Sequence, residues 1–279
     1  MTPAAAMSVE LAEFQTLALH RAGPVLHVNL NRPEVRNAMS LQMVRELRAV
    51  LAQAELGDGR DDAVRVIVLR GAGGHFCAGA DLKDMAASRA RLVDNPNALA
   101  ETNAAFGELC VAYASTGLAV VAVLEGSVMG GGFGLACVAD VALAGGSVLF
   151  RLPETGLGLI PAQIGPFLVE RLGYAEAKRL AVTGAKIGAQ EALALRLVHE
   201  VHADALLGEA LDRVLCDILA CAPGAVAATK ALIAKARFAP PAALVAEAAQ
   251  VFSAAALGPE GVEGTMAFIQ KRKAKWVPQ

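Results

Sequence analysis

Residues 118–140 of this 279-residue chain read LAVVAVLEGSVMGGGFGLACVAD and contain a strand, a turn and a helix in sequence. The apolar run 118–124 is rich in branched side chains, which is typical of a strand buried on both faces. Three glycines at 130–132 predict a turn, and an apolar helix is predicted over 133–139. Glu125 is the only charged residue before the final aspartate. Because the glycines divide the stretch into pieces too short to span a bilayer, we interpret it as buried core and expect no membrane association.

Strands and helices alternate through the first half of the chain. Two further apolar runs, 25–30 and 64–69, predict buried strands. Between them Ser40 is a suitable N-cap for an amphipathic helix that ends at Gly57. A second helix, predicted over 97–115, leads into the strand quoted above. This alternation implies parallel strand pairing and therefore an α/β fold.

The second half of the chain is predicted to be mainly helical. Strands are hard to find beyond residue 154, whereas helical patterns cover 166–172, 174–182, 189–195 and 204–220, and prolines punctuate three more. No long linker or charge block separates the two halves. We therefore expect an α/β core over 1–203 and a helical region over 204–279 that packs on the core or on a neighbouring subunit.

Composition excludes several classes of protein. Apolar residues make up 55% of the chain and charged residues 19%, so the chain can bury a core and is not intrinsically disordered. With 25 basic and 27 acidic residues the formal charge is -2, which provides no field for nucleic acid. Five scattered cysteines predict reduced thiols, and the N-terminal residues do not resemble a secretory signal. We expect a cytoplasmic protein with no nucleic-acid partner.

Two glycine-rich turns are the first candidates for a binding site. One is the turn 130–132 before the predicted helix, whose N-terminal N–H groups suit an anion or a developing oxyanion. The other, 71–81, follows the strand 64–69, and ligands of open α/β sheets bind at the carboxyl ends of strands. A dinucleotide-binding turn fits poorly because the spacing G-x-G-x-x-G is not met. Glycines that only allow close packing remain the alternative.

Glu154 is the candidate acid/base. It lies among apolar residues and turn-formers in LPETGLGLIP at 152–161. Partial burial would raise its pKa towards the range useful for proton transfer, and an exposed loop glutamate is the alternative.

Other chemistries lack support in the sequence. A Gly-x-Ser-x-Gly nucleophile and a Gly-Lys-Ser/Thr phosphate loop are absent. His199 and His202 are one residue too close for two zinc ligands on one helix face, so we interpret them as surface histidines and expect no metal.

Five segments together resemble the crotonase superfamily, the enoyl-CoA hydratase and isomerase family, over nearly the whole chain. They are NRPEVRNA at 31–38, FCAGADLKDM at 76–85, GSVMGGG at 126–132, PETGLGLIP at 153–161 and AFIQKRK at 267–273. The resemblance implies a spiral of ββα turns with a C-terminal helical trimerisation region, and a homotrimer or a hexamer of two trimers.

The resemblance also implies the site. The main-chain N–H groups of Ala80 and Gly131 would form an oxyanion hole for the thioester carbonyl of an acyl-CoA, in agreement with the two glycine-rich turns. No cofactor is implied besides the coenzyme A of the substrate. The positions predicted to bind substrate are Arg36, Ala38, Ala78, Asp81, Leu82, Gly130, Gly134, Ile160, Phe268 and Lys271, of which the last two would hold the adenine and phosphate end.

The chain departs from the family pattern at residue 134. Typical hydratases carry one glutamate on the helix after the triple glycine and a second twenty residues later; here the first is Gly134 and the second is Glu154. A single carboxylate would carry the proton transfers, as in isomerases that move a double bond. The dienoyl isomerase pattern requires an acid where Ala162 stands. We expect a hydratase, with an isomerase or an acyl-CoA binder of little turnover as alternatives.

The run GLGLIPAQIGPF at 156–167 resembles the hydratases of leucine and acyclic-terpene breakdown, which act on glutaconyl-type CoA esters branched at C3. Our hypothesis is that the missing side chain at Gly134 makes room for this C3 branch while Glu154 handles the water. Methylglutaconyl-CoA and isohexenylglutaconyl-CoA are the implied substrates.

Overall fold

The computed structural model describes residues 14–57 and 63–278, which form nine strands and eleven α-helices. The strands are Leu17–Ala22 (β1), Val25–Leu30 (β2), Val66–Gly71 (β3), Ala119–Leu124 (β4), Ser127–Met129 (β5), Val141–Gly145 (β6), Leu149–Arg151 (β7), Lys186–Gly188 (β8) and Glu200–His202 (β9). The helices are Leu41–Leu56 (α1), Leu82–Ala90 (α2), Ala98–Ser115 (α3), Gly131–Val138 (α4), Gly165–Leu172 (α5), Tyr174–Thr183 (α6), Ala189–Ala194 (α7), Leu207–Ala220 (α8), Pro223–Ala236 (α9), Pro241–Leu257 (α10) and Pro259–Ile269 (α11).

The main sheet has six strands in the order β1-β2-β3-β4-β6-β9. The strands β2, β3, β4, β6 and β9 are paired in parallel, and β1 joins the edge as the antiparallel partner of β2. The three strands expected from apolar runs are β2, β3 and β4, and they lie side by side as predicted. The predicted α/β class is thereby confirmed.

Helices cover both faces of this sheet, which explains why every residue of β4 is buried. Val120, Ala122 and Leu124 pack with α1 and α3 in the larger core cluster. The alternate residues of β4 face α8 in a second cluster. A strand covered on both faces has no polar side, and this is the pattern from which β4 was predicted.

The predicted start and end of the first helix are confirmed in α1. The Ser40 hydroxyl accepts a hydrogen bond from the Met43 N–H and caps the helix, and the helix ends before Gly57. Such a cap is worth about 1 kcal/mol.

Several short strands were missed by the sequence analysis. A separate three-stranded sheet contains β5, β7 and β8, of which β7 and β8 are antiparallel, and β9 lies on the far edge of the main sheet. The His-Glu-Val-His run places its last three residues in β9, whereas His199 lies just before that strand and accepts a hydrogen bond from the Ala142 N–H. Strands of three residues are too short to show a hydrophobic period.

The helices predicted in the second half are present. The boundary expected after residue 203 remains a prediction, although α8 lies beyond it and packs on the main sheet. By contrast, α9 and α10 contain no buried residue within the described chain. Within that part of the chain no single helix is long and apolar enough to cross a membrane. Two pairs of consecutive helices reach that length and apolar composition only when the two helices of a pair are counted together, and each pair is bent.

Candidate active site

Main-chain hydrogen bonds align segment 36–39 with segment 78–81. The Ala78 N–H donates to the Arg36 carbonyl over 2.9 Å, the Met39 N–H to the Gly79 carbonyl over 2.7 Å, and the Asp81 N–H to the Met39 carbonyl over 3.0 Å. These two adjacent segments therefore contain four of the predicted site positions, Arg36, Ala38, Ala78 and Ala80. Arg36 and Ala80 are exposed, so this edge of the site is open to solvent.

The same segment is joined to the glycine-rich turn that precedes α4. The Cys77 N–H donates to the Ser127 carbonyl and the Met129 N–H to the Cys77 carbonyl, each over 2.9 Å. Gly79 then contacts the turn directly, because a Cβ placed on Gly79 would lie 3.3 Å from the Met129 carbonyl oxygen and 3.7 Å from Cα of Gly130. The two glycine-rich turns of the sequence converge as expected.

The carboxylate of Glu154 lies close to Gly130, where the two glycine-rich turns meet. Its φ of 48° and ψ of -117° are accessible to glycine and strained for other residues. A Cβ at Gly130 would lie 2.9 Å from Oε1 of Glu154 and 3.3 Å from Cα of Gly79. The absence of a side chain at Gly130 therefore allows the carboxylate to approach both turns.

Hydrogen bonds on either side of Glu154 fix its loop. The Gly130 N–H donates to the carbonyl of Arg151 over 3.1 Å, which connects β7 to the turn before α4. Glu154 begins a single 3-10 turn that closes at Gly158, and the Thr155 hydroxyl donates to the Ala181 carbonyl on α6.

Two main-chain donors beside Glu154 are unused. Within residues 14–57 and 63–278, no hydrogen bond is made by the N–H of Ala80 or by that of Gly131. Gly131 is the first residue of α4, so its N–H also lies at the positive end of the helix dipole. Two free N–H groups of this kind can stabilise negative charge on a carbonyl oxygen.

Glu154 is partly buried, and its Oε2 atom is buried without a hydrogen-bond partner in the described chain. Burial raises the pKa of Glu154 above its ordinary value because the charged form loses solvation. A carboxyl group with a raised pKa can accept and return a proton near neutral pH. The arrangement thus combines one acid/base with two oxyanion donors.

Asn37, which is not among the predicted site residues, joins the segment 31–38 to the glycine-rich turn 71–81. Its buried amide Nδ2 donates to the carbonyls of Ala72 and His75, over 2.8 and 2.7 Å, and its Oδ1 accepts from the Arg32 N–H. His75 in turn accepts from the Ser127 N–H through Nδ1. Asn37 lies within the NRPEVRNA motif and has a left-handed φ of 56°. Asparagine tolerates a positive φ better than most residues, so its presence in this motif is the sequence signal for a turn.

Comparison with known proteins identifies the family. Residues 20–279 match the family model "Enoyl-CoA hydratase/isomerase". The chain belongs to this family. It is 30% identical over 261 residues to the 2,3-dehydroadipyl-CoA hydratase of Escherichia coli, covering 92% of this chain and 96% of that protein.

Two solved structures are more similar. Pseudomonas aeruginosa AtuE is 50% identical with a TM-score of 0.89, over 95% of this chain and 100% of that one. An enoyl-CoA hydratase/isomerase from Marinobacter aquaeolei is 48% identical with a TM-score of 0.88, over 94% and 99%. The predicted crotonase family and fold, and the prediction of an enzyme, are confirmed.

One predicted site residue of this enoyl-CoA hydratase/isomerase family member, Asp81, makes several contacts within the chain. Asp81 was expected to bind substrate, but its carboxylate is already used: it pairs with the Arg32 guanidinium at 2.8 Å and caps α2 by accepting from the Lys83 N–H. Burial alone would raise the pKa of Asp81, yet the hydrogen bonds from Arg32 and from α2 lower it below the ordinary value. The Asp81 carboxylate therefore joins Arg32 to the start of α2, and a contact of Asp81 with substrate stays a prediction.

Two side chains border Gly134, and the expectation that this glycine makes room for a substrate branch stays a prediction. A Cβ on Gly134 would lie 3.1 Å from Cζ of Phe106 and 3.3 Å from Cγ1 of Ile164. Gly134 and Ile164 are buried. The Phe106 and Ile164 side chains therefore border the position from which a glutamate side chain would start.

The remaining predicted positions lie on the surface of the described chain. Leu82 and Ile160 are exposed on the two sides of the site, at the start of α2 and after Glu154. Phe268 is 84% exposed at the end of α11, and Lys271 follows it with a left-handed φ of 53°. Roles for Ile160 in binding the substrate, and for Leu82, Phe268 and Lys271 in binding its coenzyme A part, stay predictions.

Proposed function

We propose that the protein hydrates the α,β double bond of an acyl-CoA thioester. The observation that supports this most directly is the single carboxylate of Glu154 beside two free main-chain donors. The thioester oxygen would accept hydrogen bonds from the N–H groups of Ala80 and Gly131, in a site preorganised for negative charge.

The proposed reaction uses Glu154 twice. The carboxylate takes a proton from a water molecule as the water oxygen bonds to C3, and the electron pair of the double bond moves to give an enolate whose charge lies on the thioester oxygen. Glu154 then returns the proton to C2. The product contains both hydrogens and the oxygen of one water, and no further cofactor is required.

Double-bond isomerisation is the second candidate, favoured by the absence of an acid at Gly134. In that reaction Glu154 would move a proton between C2 and C4, and no water would be added. The two candidates differ in product mass. Incubation of crotonyl-CoA in water enriched in oxygen-18 would give a product heavier by one labelled water for a hydratase, whereas isomerisation of a 3-enoyl-CoA leaves the mass unchanged.

The substrate class that we propose is a glutaconyl-type ester branched at C3. It is supported by the resemblance of residues 156–167 and by the dicarboxylic acyl group in the name of the Escherichia coli relative. Turnover of methylglutaconyl-CoA, isohexenylglutaconyl-CoA and crotonyl-CoA should be compared. Higher kcat/KM for crotonyl-CoA would refute this substrate class while leaving hydration intact.

We also propose that the protein assembles into a homotrimer or a hexamer through its last helices. The apolar helix α10 has no buried residue in a single chain, and Phe252 is 75% exposed on it. Single proteins rarely leave so much apolar surface in water. Phe252→Glu should reduce the mass measured by sedimentation equilibrium, whereas Leu56→Glu, at an exposed leucine on α1, should not.

A further inference from the structure

The helix α3 presents a short face towards the active site. Asn103, Phe106 and Gly107 lie three and four residues apart and so share one side of the helix. None of these residues belongs to the motifs that predict the site. Phe106 is half-buried, and its ring packs against the larger core cluster.

The ring of Phe106 lies across the first turn of α4. A Cβ on Gly131 would lie 3.3 Å from its Cε2, and a Cβ on Gly134 would lie 3.1 Å from its Cζ. Gly131 and Gly134 are three residues apart and share a face of α4. The same ring therefore borders both the proposed oxyanion donor and the position of the missing acid.

A second contact fixes α3 against the loop after Glu154. Gly107 has no side chain, and a Cβ there would lie only 2.1 Å from Oε1 of Gln163. Gln163 also donates through Nε2 to Oδ1 of Asn103 over 2.9 Å. Gln163 thus packs against α3, and the next residue, Ile164, contacts Gly134.

We propose that Phe106 is a specificity-determining residue of the acyl site, a role that rests on the proposed acyl-CoA hydration. An acyl chain whose carbonyl oxygen contacts the Gly131 N–H places C2 and C3 next to this turn. The Phe106 ring then forms an apolar wall on the Gly134 side and sets the largest substituent on C3 that the site admits. Glu154 is left as the only acid/base.

The first test compares substrates in the Phe106→Ala and Phe106→Leu variants. Removing the ring opens space next to C3, so the ratio of kcat/KM for isohexenylglutaconyl-CoA, which carries the larger branch on C3, to that for methylglutaconyl-CoA should rise about tenfold or more in Phe106→Ala, with a smaller rise in Phe106→Leu. Phe14→Ala removes an equally half-buried ring packed on the same core and should leave the ratio unchanged. A ratio within twofold of the original protein in both Phe106 variants would overturn the proposal.

The second test does not depend on turnover. Gly134→Glu forces a side chain against the ring and should lower the urea midpoint of unfolding clearly, whereas the double variant Phe106→Ala/Gly134→Glu should recover much of that loss. Additive losses would show that the ring does not fill this space. If the original protein hydrates no enoyl-CoA, the proposed function fails, and recovery in the double variant would still establish the packing role of Phe106.

Discussion

The Oε1 atom of Glu154 lies 2.9 Å from the place where a Cβ would stand on Gly130. The backbone of Gly130 leads directly into the free N–H of Gly131, so one glycine sets the distance between the acid/base and one oxyanion donor. The same contact places the loop that follows β7 against the turn that begins α4.

Replacement of Glu154 tests its part in the reaction. Glu154→Gln keeps the shape of the side chain but cannot accept a proton, so kcat should fall about 10²- to 10⁴-fold. Affinity for a non-reactive acyl-CoA, measured by calorimetry, should change little. Glu209→Gln, on the exposed face of α8, is the matched control and should retain full activity. Equal activity of the two variants would remove Glu154 from the mechanism.

The raised pKa of Glu154 predicts the pH dependence of the reaction. The charged form is the base that activates water, so kcat/KM should decrease as pH falls through a pKa above the ordinary value of about 4.3. A pH–rate profile measures this directly. An acidic limb at or below the ordinary value would contradict the burial argument.

The ionisation of Glu154 should also affect the stability of the fold. As pH rises through the pKa of Glu154, kcat/KM should increase, whereas the contribution of Glu154 to the free energy of unfolding should decrease. Because burial raises the pKa of Glu154 in the folded state, its contribution to stability is fully present below the unfolded pKa and is lost as pH rises through the folded pKa. Glu154→Gln should therefore gain unfolding free energy relative to the original protein as pH rises from 4 towards neutrality, as urea titrations at several pH values would measure. A constant difference would argue against a buried charge.

Gly130→Ala tests the contact with Glu154. Its backbone conformation is unfavourable for alanine by about 1–3 kcal/mol, and the new Cβ displaces the carboxylate, so both stability and kcat should fall. Gly158 also has a positive φ, of 70°, but nothing lies within 4 Å of its Cβ position. Gly158→Ala should therefore lose about 1–2 kcal/mol of stability with kcat unchanged. Similar kcat values for both variants would show that Gly130 does not position Glu154.

Asn37 offers a test of how the turns are held. Asn37→Gly keeps the left-handed backbone available but leaves the carbonyls of Ala72 and His75 without their donor, at a cost of about 1–3 kcal/mol. Asn37→Ala should cost about 1 kcal/mol more because alanine disfavours the positive φ. Urea unfolding measures both, with Asn97→Gly, an exposed asparagine, as control. Equal stability of the three variants would exclude a structural role for Asn37.

Much of this site could be predicted from the sequence because its donors lie in local patterns. Glycine-rich turns after buried strands predict where main-chain N–H groups are accessible, and Glu154 follows from its motif. The contact of Phe106 with Gly134 could not be predicted, since it joins residues 28 positions apart on two helices. The ion pair of Asp81 with Arg32 also depends on tertiary packing, and no local pattern indicates that this carboxylate has a partner within the chain.

The segments that carry Ala80 and Gly131 are joined to each other and to their neighbours by main-chain hydrogen bonds, whereas Phe106 projects from a separate helix. Mutations on α3 can therefore accumulate during evolution and change which acyl groups are accepted without moving the charge-stabilising centre. New substrates would then be acquired by altering one helix, with the reaction itself inherited intact.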